Sequence, residues 1–372
     1  LTLITLMVVI ISGCSSLIPD HEAVPQTGEQ GAILATWTPE TNTIEEISTP
    51  EGIPESGGEI VGARFPVVDT NQAACYNDSL ATSCPTRGDD FFGQDAQYTG
   101  NQPAYEDNGD GTITDLNTGL TWIKDAGNKV NYYEGIALAE DFVFAGFNDW
   151  RVPSIKELYS LMDFSGVDDA DAGTDPFINT DYFIFQYGDT SAGERAIDSQ
   201  WITNTLYVDS VMGNQECFFG VNFADGRIKC YPTGDGRNNG YYLRLVRGDS
   251  YGENNFQDLG NGIITDLATG LDWQQADSGE CMDWPTALAT CESATTGGYD
   301  DWRLPNAKEL QSIVDYSRSP GTTGSPAIDP VFETRAITNL LGETDFPYFW
   351  TSTTHAGKTG GSQAVYISFG RG

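Results

Sequence analysis

Apolar positions recur in the same order twice along this chain. Ile155, Leu158, Leu161 and Met162 fall at the i, i+3, i+6, i+7 spacing that turns one helix face into a core, and Ala307, Leu310, Ile313 and Val314 repeat it. Each run follows a near-identical segment, Asp149-Trp-Arg-Val-Pro-Ser-Ile-Lys-Glu-Leu158 and Asp301-Trp-Arg-Leu-Pro-Asn-Ala-Lys-Glu-Leu310. Pro153 and Pro305 close an extended stretch, and Ser154 and Asn306 follow at once as N-caps. Glu157 and Glu309, three residues on, can reach back to the cap's own N–H and complete a capping box. Trp150 and Trp302 are expected in the core, and Arg151 and Arg303 are expected to pair with a carboxylate of their own repeat.

More of the chain falls into the same two-fold order. Residues 107–122 match residues 258–273 as hairpins with an Asp-Leu-x-Thr-Gly turn. Helical stretches follow near Tyr132 to Phe142 and near Asp283 to Cys291, the latter capped by Asp283 with Pro285 in its first turn. After the capped helix come Asp175-Pro-Phe177 or Asp329-Pro-Val-Phe332, and strands beginning Trp201-Ile-Thr-Asn-Thr205 or Trp350-Thr-Ser-Thr-Thr354. The alternating Tyr241–Gly248 segment reads as a closing central strand of the first repeat. The second repeat reaches Ile367-Ser-Phe369 without such a strand, so it is expected to be cut short by roughly two dozen residues and to show a bare sheet edge.

Ahead of the repeats the pattern changes. Leu1 to Gly13 is apolar and uncharged, too short to cross a bilayer, and leads into Ile11-Ser12-Gly13-Cys14. That is the shape of a lipobox, which predicts a partial lipoprotein signal over 1–13 and a lipidated Cys14, with Ser15 behind it directing the protein to the outer membrane or cell surface. A cut-down transmembrane anchor is the alternative. Residues 14–62 hold no Lys or Arg and few large apolar residues, which predicts a disordered acidic tether. The folded part is expected as 63–249 and 250–372, two α+β domains.

Charge narrows the partners. With 54 acidic and 18 basic residues the net charge is −36, which argues against nucleic acid and anionic membrane surfaces as ligands. Cys14 aside, six cysteines remain in three local pairs: Cys75 and Cys84, Cys217 and Cys230, Cys281 and Cys291. In an exported protein these are expected as disulfides, each contributing roughly 2–4 kcal/mol. No CxxC spacing or neighbouring histidine supports zinc.

The Asp-Asn-Gly-Asp-Gly-Thr-Ile-Thr-Asp hairpin from Asp107, the Asp-Trp-Arg-Leu-Pro helix start from Asp301, the Trp-Thr-Ser strand from Trp350 and the Tyr-Leu-Arg-Leu-Val-Arg run ending at Arg247 resemble the Lcl C-terminal domain family. The resemblance covers about residues 63 to 372. It implies a C-type-lectin-like fold, two such domains in tandem, and binding rather than catalysis: a surface adhesin for sulfated glycans. The Arg-Leu-Pro-x-x-x-Glu step is also similar to the formylglycine-generating enzyme domain, but no cysteine pair matches that family's catalytic pair. The Glu-Pro-Asn and Trp-Asn-Asp signatures of calcium-dependent lectins are absent, and so acidic a surface should repel sulfated polysaccharides unless a local basic patch exists.

Catalytic signals are sparse. His355 is the only histidine outside the tether, so a Ser-His or Cys-His dyad has one candidate, beside a Gly-rich loop. Calcium is the more concrete possibility. Asp107, Asp110 and Asp115 offer oxygens in a tight turn, and Asp168, Asp169, Asp171 and Asp175 form an acidic loop where lectin-like folds carry metals. The sequence therefore supports a non-enzymatic, surface-exposed binding module for a glycan or other extracellular ligand, with an envelope structural or assembly lipoprotein as the alternative.

Overall fold

A computed structural model describes residues 6–8, 31–32, 65–168, 175–211, 214–234, 240–357 and 360–371. Each repeat opens on a three-stranded antiparallel sheet, Tyr105–Asp107, Thr112–Asp115 and Thr121–Ile123 in the first, Phe256–Asp258, Ile263–Asp266 and Leu271–Gln274 in the second. The expected turns form because a buried aspartate organises them. Asp115 Oδ1 accepts the N–H groups of Asn117 and Thr118 at 2.9 and 3.3 Å, and Gly119 takes φ 73°. Asp266 and Gly270 do the same work in the second copy. Two helices follow in each repeat: α1 (Tyr132–Glu140) and α2 (Ile155–Ser160), then α3 (Trp284–Glu292) and α4 (Ala307–Ser312). Gln200–Trp201 pairs with Cys217–Asn222, which pairs with Arg227–Pro232; Tyr348–Thr354 pairs with Ala364–Ser368. The architecture is mixed α and β, with short, mostly antiparallel strands in small sheets.

Both capping boxes form. Glu157 accepts the Ser154 N–H at 2.8 Å, and the Arg151 guanidinium clamps the same carboxylate at 2.7 and 2.6 Å. Glu309 accepts the Asn306 N–H at 2.8 Å and meets Arg303 at 2.9 and 2.6 Å. One carboxylate thus ties the strand before the proline to the first turn after it, a bidentate geometry that fixes both. Trp150 and Trp302 are buried, their indole N–H groups donating to the carbonyls of Phe144 and Thr296.

The core does not stop at the boundary drawn between residues 249 and 250. Ala307 belongs to the buried cluster of Trp122, Leu158, Trp201 and Phe223, with Tyr316 and Val365 of the second repeat packed against it. The α2 and α4 helices meet at the seam and exchange side chains. Lys156 Nζ donates to the Ser312 carbonyl at 2.6 Å, and Lys308 Nζ donates to the Ser160 carbonyl at 2.8 Å. Further out, Asp168 N–H donates to the Ala356 carbonyl, and Thr322 Oγ1 donates to the Val208 carbonyl.

The lead-in, expected to belong to the first unit, crosses to the second. Phe65 N–H donates to the Ala268 carbonyl, Gln72 bonds Thr354, and Asp95 accepts from Thr353. Phe91 packs against Trp284, and Arg87 and Tyr98 meet Glu292. The segment also touches the first repeat, where Phe164 N–H donates to the Thr70 carbonyl. Residues 65–101 therefore strap the two repeats together.

Hydrogen bonds correct the alignment of the repeats. Thr203 and Thr351 donate to the carbonyls of Phe219 and Val365, while Asn204 and Ser352 donate their N–H groups to the carbonyls of Pro153 and Pro305. Trp201 therefore corresponds to Phe349, not to Trp350. A one-residue slip in a strand sends side chains to the opposite face, so Trp201 packs in the inner cluster and Trp350 packs outward with Trp284 and Trp302. Likewise the Ile184 N–H to Lys124 and Glu333 N–H to Gln275 bonds align Phe332 with Phe183 rather than with Phe177.

The closing segment of the first repeat pairs Val246–Arg247 antiparallel with Thr121–Trp122. The corresponding edge of the second repeat is not bare. Leu6–Val8 pairs there in parallel with Leu271–Trp273, and Gly31–Ala32 pairs in parallel with Phe349–Trp350. The rest of the expected tether lies outside the described residues.

Candidate functional site

The structure spends most of the singled-out carboxylates on local geometry. Asp107 accepts the Gly109 N–H and pairs with Lys124, Asp110 accepts from the Thr112 N–H and hydroxyl, and Asp115 holds its turn. In the acidic loop, Asp168 pairs with Arg227 at 3.1 Å and the Asp175 carbonyl accepts the Val167 N–H; Asp169 and Asp171 lie outside the described residues, as does Cys14. Among the described residues no group of three or more His, Cys, Asp or Glu side chains is placed to hold a metal ion.

Two of the three expected disulfides are present. Cys75–Cys84 closes the Cys75–Tyr76/Ala81–Thr82 hairpin with a Cα–Cα distance of 5.0 Å, and Cys217–Cys230 ties adjacent strands at 5.5 Å. The third is corrected: Cys291 is a free, buried thiol and is not joined to Cys281. Most of α3 lies between the two. A helix rises about 1.5 Å per residue, so eight helical residues alone exceed the roughly 7 Å a disulfide tolerates between Cα atoms. Sequence periodicity held the signal, since Trp284, Ala287, Leu288 and Cys291 share one helical face and all four are buried.

His355 lies at the seam, stacked on Phe177 at 5.4 Å with Nε2 2.8 Å from the Asp225 carbonyl. Burial pushes its pKa down, with Arg227 adding to the effect. Asp225 is fully buried and takes Lys229 at 2.7 Å and Arg227 at 3.3 Å on Oδ2. Arg227 and Lys229 are the local cations that the sequence left unplaced, but Asp168 and Asp225 neutralise them. This cluster closes the joint between repeats.

Open surface lies elsewhere, on the outer side of α1 and the turn after it. The Asn131 cap starts α1, and Phe144 and Phe147 then pair backbone to backbone around Ala145 and Gly146, both at positive φ. That tight turn leaves Val143 68% and Phe147 39% exposed, beside Leu138 at 49% and Tyr133 at 60% on the helix. Phe142 and Phe144 anchor the turn on Trp150. At its rim Arg247 lies 3.8 Å over the Phe147 ring and pairs with Asp149 at 2.8 and 3.0 Å. On the second repeat the corresponding positions are Pro285 and Thr290 on α3, then Thr295 and the exposed Tyr299 after it, and the lead-in rests against Trp284 and Glu292. The docking of the lead-in against Trp284 and Glu292 escaped the sequence reading because it joins residues far apart in the chain.

The family model of the Lcl C-terminal domain matches residues 111–247 and 262–372, and the chain belongs to that family with two tandem copies. Comparison with curated proteins and with solved structures gives no match.

Proposed function

We propose that this protein is an exported, lipid-anchored binding protein of the cell envelope, non-enzymatic, whose two repeats form a C-type-lectin-like body that holds an extracellular ligand. The observation carrying this reading is the exposed turn of Val143 and Phe147, with Arg247 lying over the Phe147 ring and pairing with Asp149. Exposed apolar side chains beside a charged pair are suited to recognition. Tyr133 and Phe147 suit the faces of sugar rings, and the rim offers both a donor fork and a carboxylate. Lipidation at Cys14 would hold this surface outward on the acidic tether, at the outer membrane or cell surface. Among the described residues no helix is long and apolar enough to cross a membrane. Calcium, if it contributes, would enter through the acidic loop that starts at Asp168.

Screening the full chain on an array of glycans and extracellular matrix proteins tests the reading. Retained ligand on wild type, lost in Val143→Asp and in Phe147→Ser with folding intact, supports it. Capture unaffected by either change would place the binding surface elsewhere. Leu138 and Val143 are aliphatic, which favours the alternative of an envelope assembly protein, and a hit confined to proteins of the producing cell would select it.

A further inference from the structure

Lys156 and Lys308 hold the same place in the two repeats, but their amines meet different chemistry. Lys308 Nζ donates to two main-chain carbonyls, those of Asp69 and Ser160, at 2.9 and 2.8 Å. Lys156 Nζ donates to the Gly252 and Ser312 carbonyls at 3.0 and 2.6 Å and, at 2.9 Å, to Oδ1 of the Asn254 side chain. The amide nitrogen of that side chain, Nδ2, donates in turn to Asp266 Oδ2 at 2.8 Å. An amine, a carboxamide and a carboxylate therefore stand in line across the seam, the amine from the first repeat and the other two groups from the second.

Each member is held in place. Asp266 is fully buried; the N–H groups of Asn255 and Ala268 fix Oδ1 at 2.9 and 3.1 Å, and Thr269 Oγ1 donates to Oδ2 at 2.9 Å. The Lys156 stem lies against Gly252, which has φ 96° and where an added Cβ would come within 2.8 Å of two Lys156 carbons. Phe65, Tyr159 and Tyr251 line the small cavity beside the amine. Burial lowers the Lys156 pKa to about 8, with Asp266 the strongest of the carboxylates opposing that shift. A sizeable share of the amine is therefore neutral in mildly alkaline solution, where an ordinary lysine is almost wholly ammonium.

We infer that Lys156 and Asn254 are the partners of an intramolecular isopeptide bond, formed without a cofactor, with Asp266 as its proton relay. The ammonium first gives one proton to solvent. The Nζ lone pair then attacks Cγ of Asn254, a C–N bond forms, and the Cγ–Nδ2 bond breaks. Asp266 takes the proton that the attacking nitrogen sheds and gives it to Nδ2, which leaves as ammonia, so the carboxylate is regenerated and nothing is oxidised or reduced. Holding the amine at hydrogen-bond distance from the carboxamide supplies the proximity that amide exchange between free side chains lacks. The product is a covalent bolt between the two repeats.

The first repeat carries an internal control. The Leu116 and Leu267 N–H groups donate to the carbonyls of Ala104 and Asn255, so Pro103 stands where the second repeat has Asn254. Asp115, the counterpart of Asp266, has an Oδ2 without a hydrogen-bond partner. Among the described residues no hydrogen bond joins Lys308 to a carboxamide, and Lys308 should stay a free amine.

The test is mass spectrometry of the full chain, kept overnight at about the pKa of the Lys156 amine, then reduced and digested with trypsin and a glutamate-specific protease. The bond predicts one branched peptide, residues 152–157 joined to residues 254–280, lighter by one ammonia than the two together. Lys156→Arg should give linear peptides, and Asn254→Asp should give the same branch with water as the leaving group. Asp266→Asn should give linear peptides from a chain whose circular dichroism matches wild type. Linear peptides alone from the wild type, with trypsin cutting after Lys156, overturn the inference, as does a loss of ammonia confined to the Asn254 peptide. A branch that persists in Asp266→Asn, or one of equal yield on Lys308, overturns the assignment of Asp266.

Discussion

Lys156 and Lys308 hold the same position in two copies of one motif, and each gives its ammonium to the other copy, Lys156 to the Ser312 carbonyl and Lys308 to the Ser160 carbonyl. Lys156 adds bonds to Gly252 and Asn254, and Lys308 adds one to Asp69. Burial holds both amines down to about pKa 8. Between them lies a cavity of only about 10 Å³, also lined by Phe65, Tyr159 and Tyr251, roughly room for one water. Lys308→Ala leaves buried carbonyls without donors, and thermal unfolding should show a loss on the order of 2 kcal/mol. Combining it with Lys156→Ala should cost an amount that differs from the sum of the singles by more than about 0.5 kcal/mol, because the two sites share the seam. Strict additivity would mean that the lysines act independently.

The two Arg–Glu clamps should differ in strength. Arg303 and Glu309 are 5% and 6% exposed at their side chains, whereas Arg151 is 34% exposed. Glu309→Gln strands a buried guanidinium and should cost about 3–5 kcal/mol. Glu157→Gln leaves Arg151 within reach of water and should cost about 1–2 kcal/mol, partly through the weakened cap. Denaturant titration of both variants checks the order, and a larger loss at Glu157 would contradict it.

Asp95 sets a pH dependence. Burial first, and then the charge of Asp69, raise its pKa to about 7, although the Thr353 and Thr70 hydroxyls donate to it at 2.6 and 2.7 Å. Its folded pKa lies above the unfolded value, so its contribution is fully present below about pH 4 and is lost as pH rises through about 7. The slope from this group can reach about 1.4 kcal/mol per pH unit. Asp95→Asn should flatten stability against pH between 4 and 7 relative to wild type. An unchanged slope would show that Asp95 titrates normally.

Cys291 should be silent to thiol reagents in the folded protein and react as one equivalent after denaturation, because it is fully buried and its pKa is pushed well above the usual thiol value, chiefly by burial. Non-reducing peptide maps should link Cys75 to Cys84 and Cys217 to Cys230. A Cys281–Cys291 peptide would contradict the packing of α3.

Local features were the legible part of this chain. The capping boxes, the Arg–Glu pairs, the aspartate turns and both copies of the family domain follow from short-range patterns that physics enforces within a few residues. Register was not legible. Trp201 and Trp350 align letter for letter, yet the Thr203 and Thr351 bonds show a one-residue slip that swaps the faces on which the tryptophans pack. Cys281 and Cys291 illustrate the same limit, since nearness in sequence does not give nearness across a helix. The docking of residues 65–101 on the second repeat depends on contacts far apart in the chain, which composition and periodicity do not encode.

The central claim is that the repeats share one core, cross-linked by Lys156, Lys308 and the lead-in. Differential scanning calorimetry of the full chain tests it most directly. One cooperative transition is predicted, with Lys308→Ala moving the whole of it to lower temperature. Two resolved transitions, only one of them shifted by Lys308→Ala, would contradict the shared core.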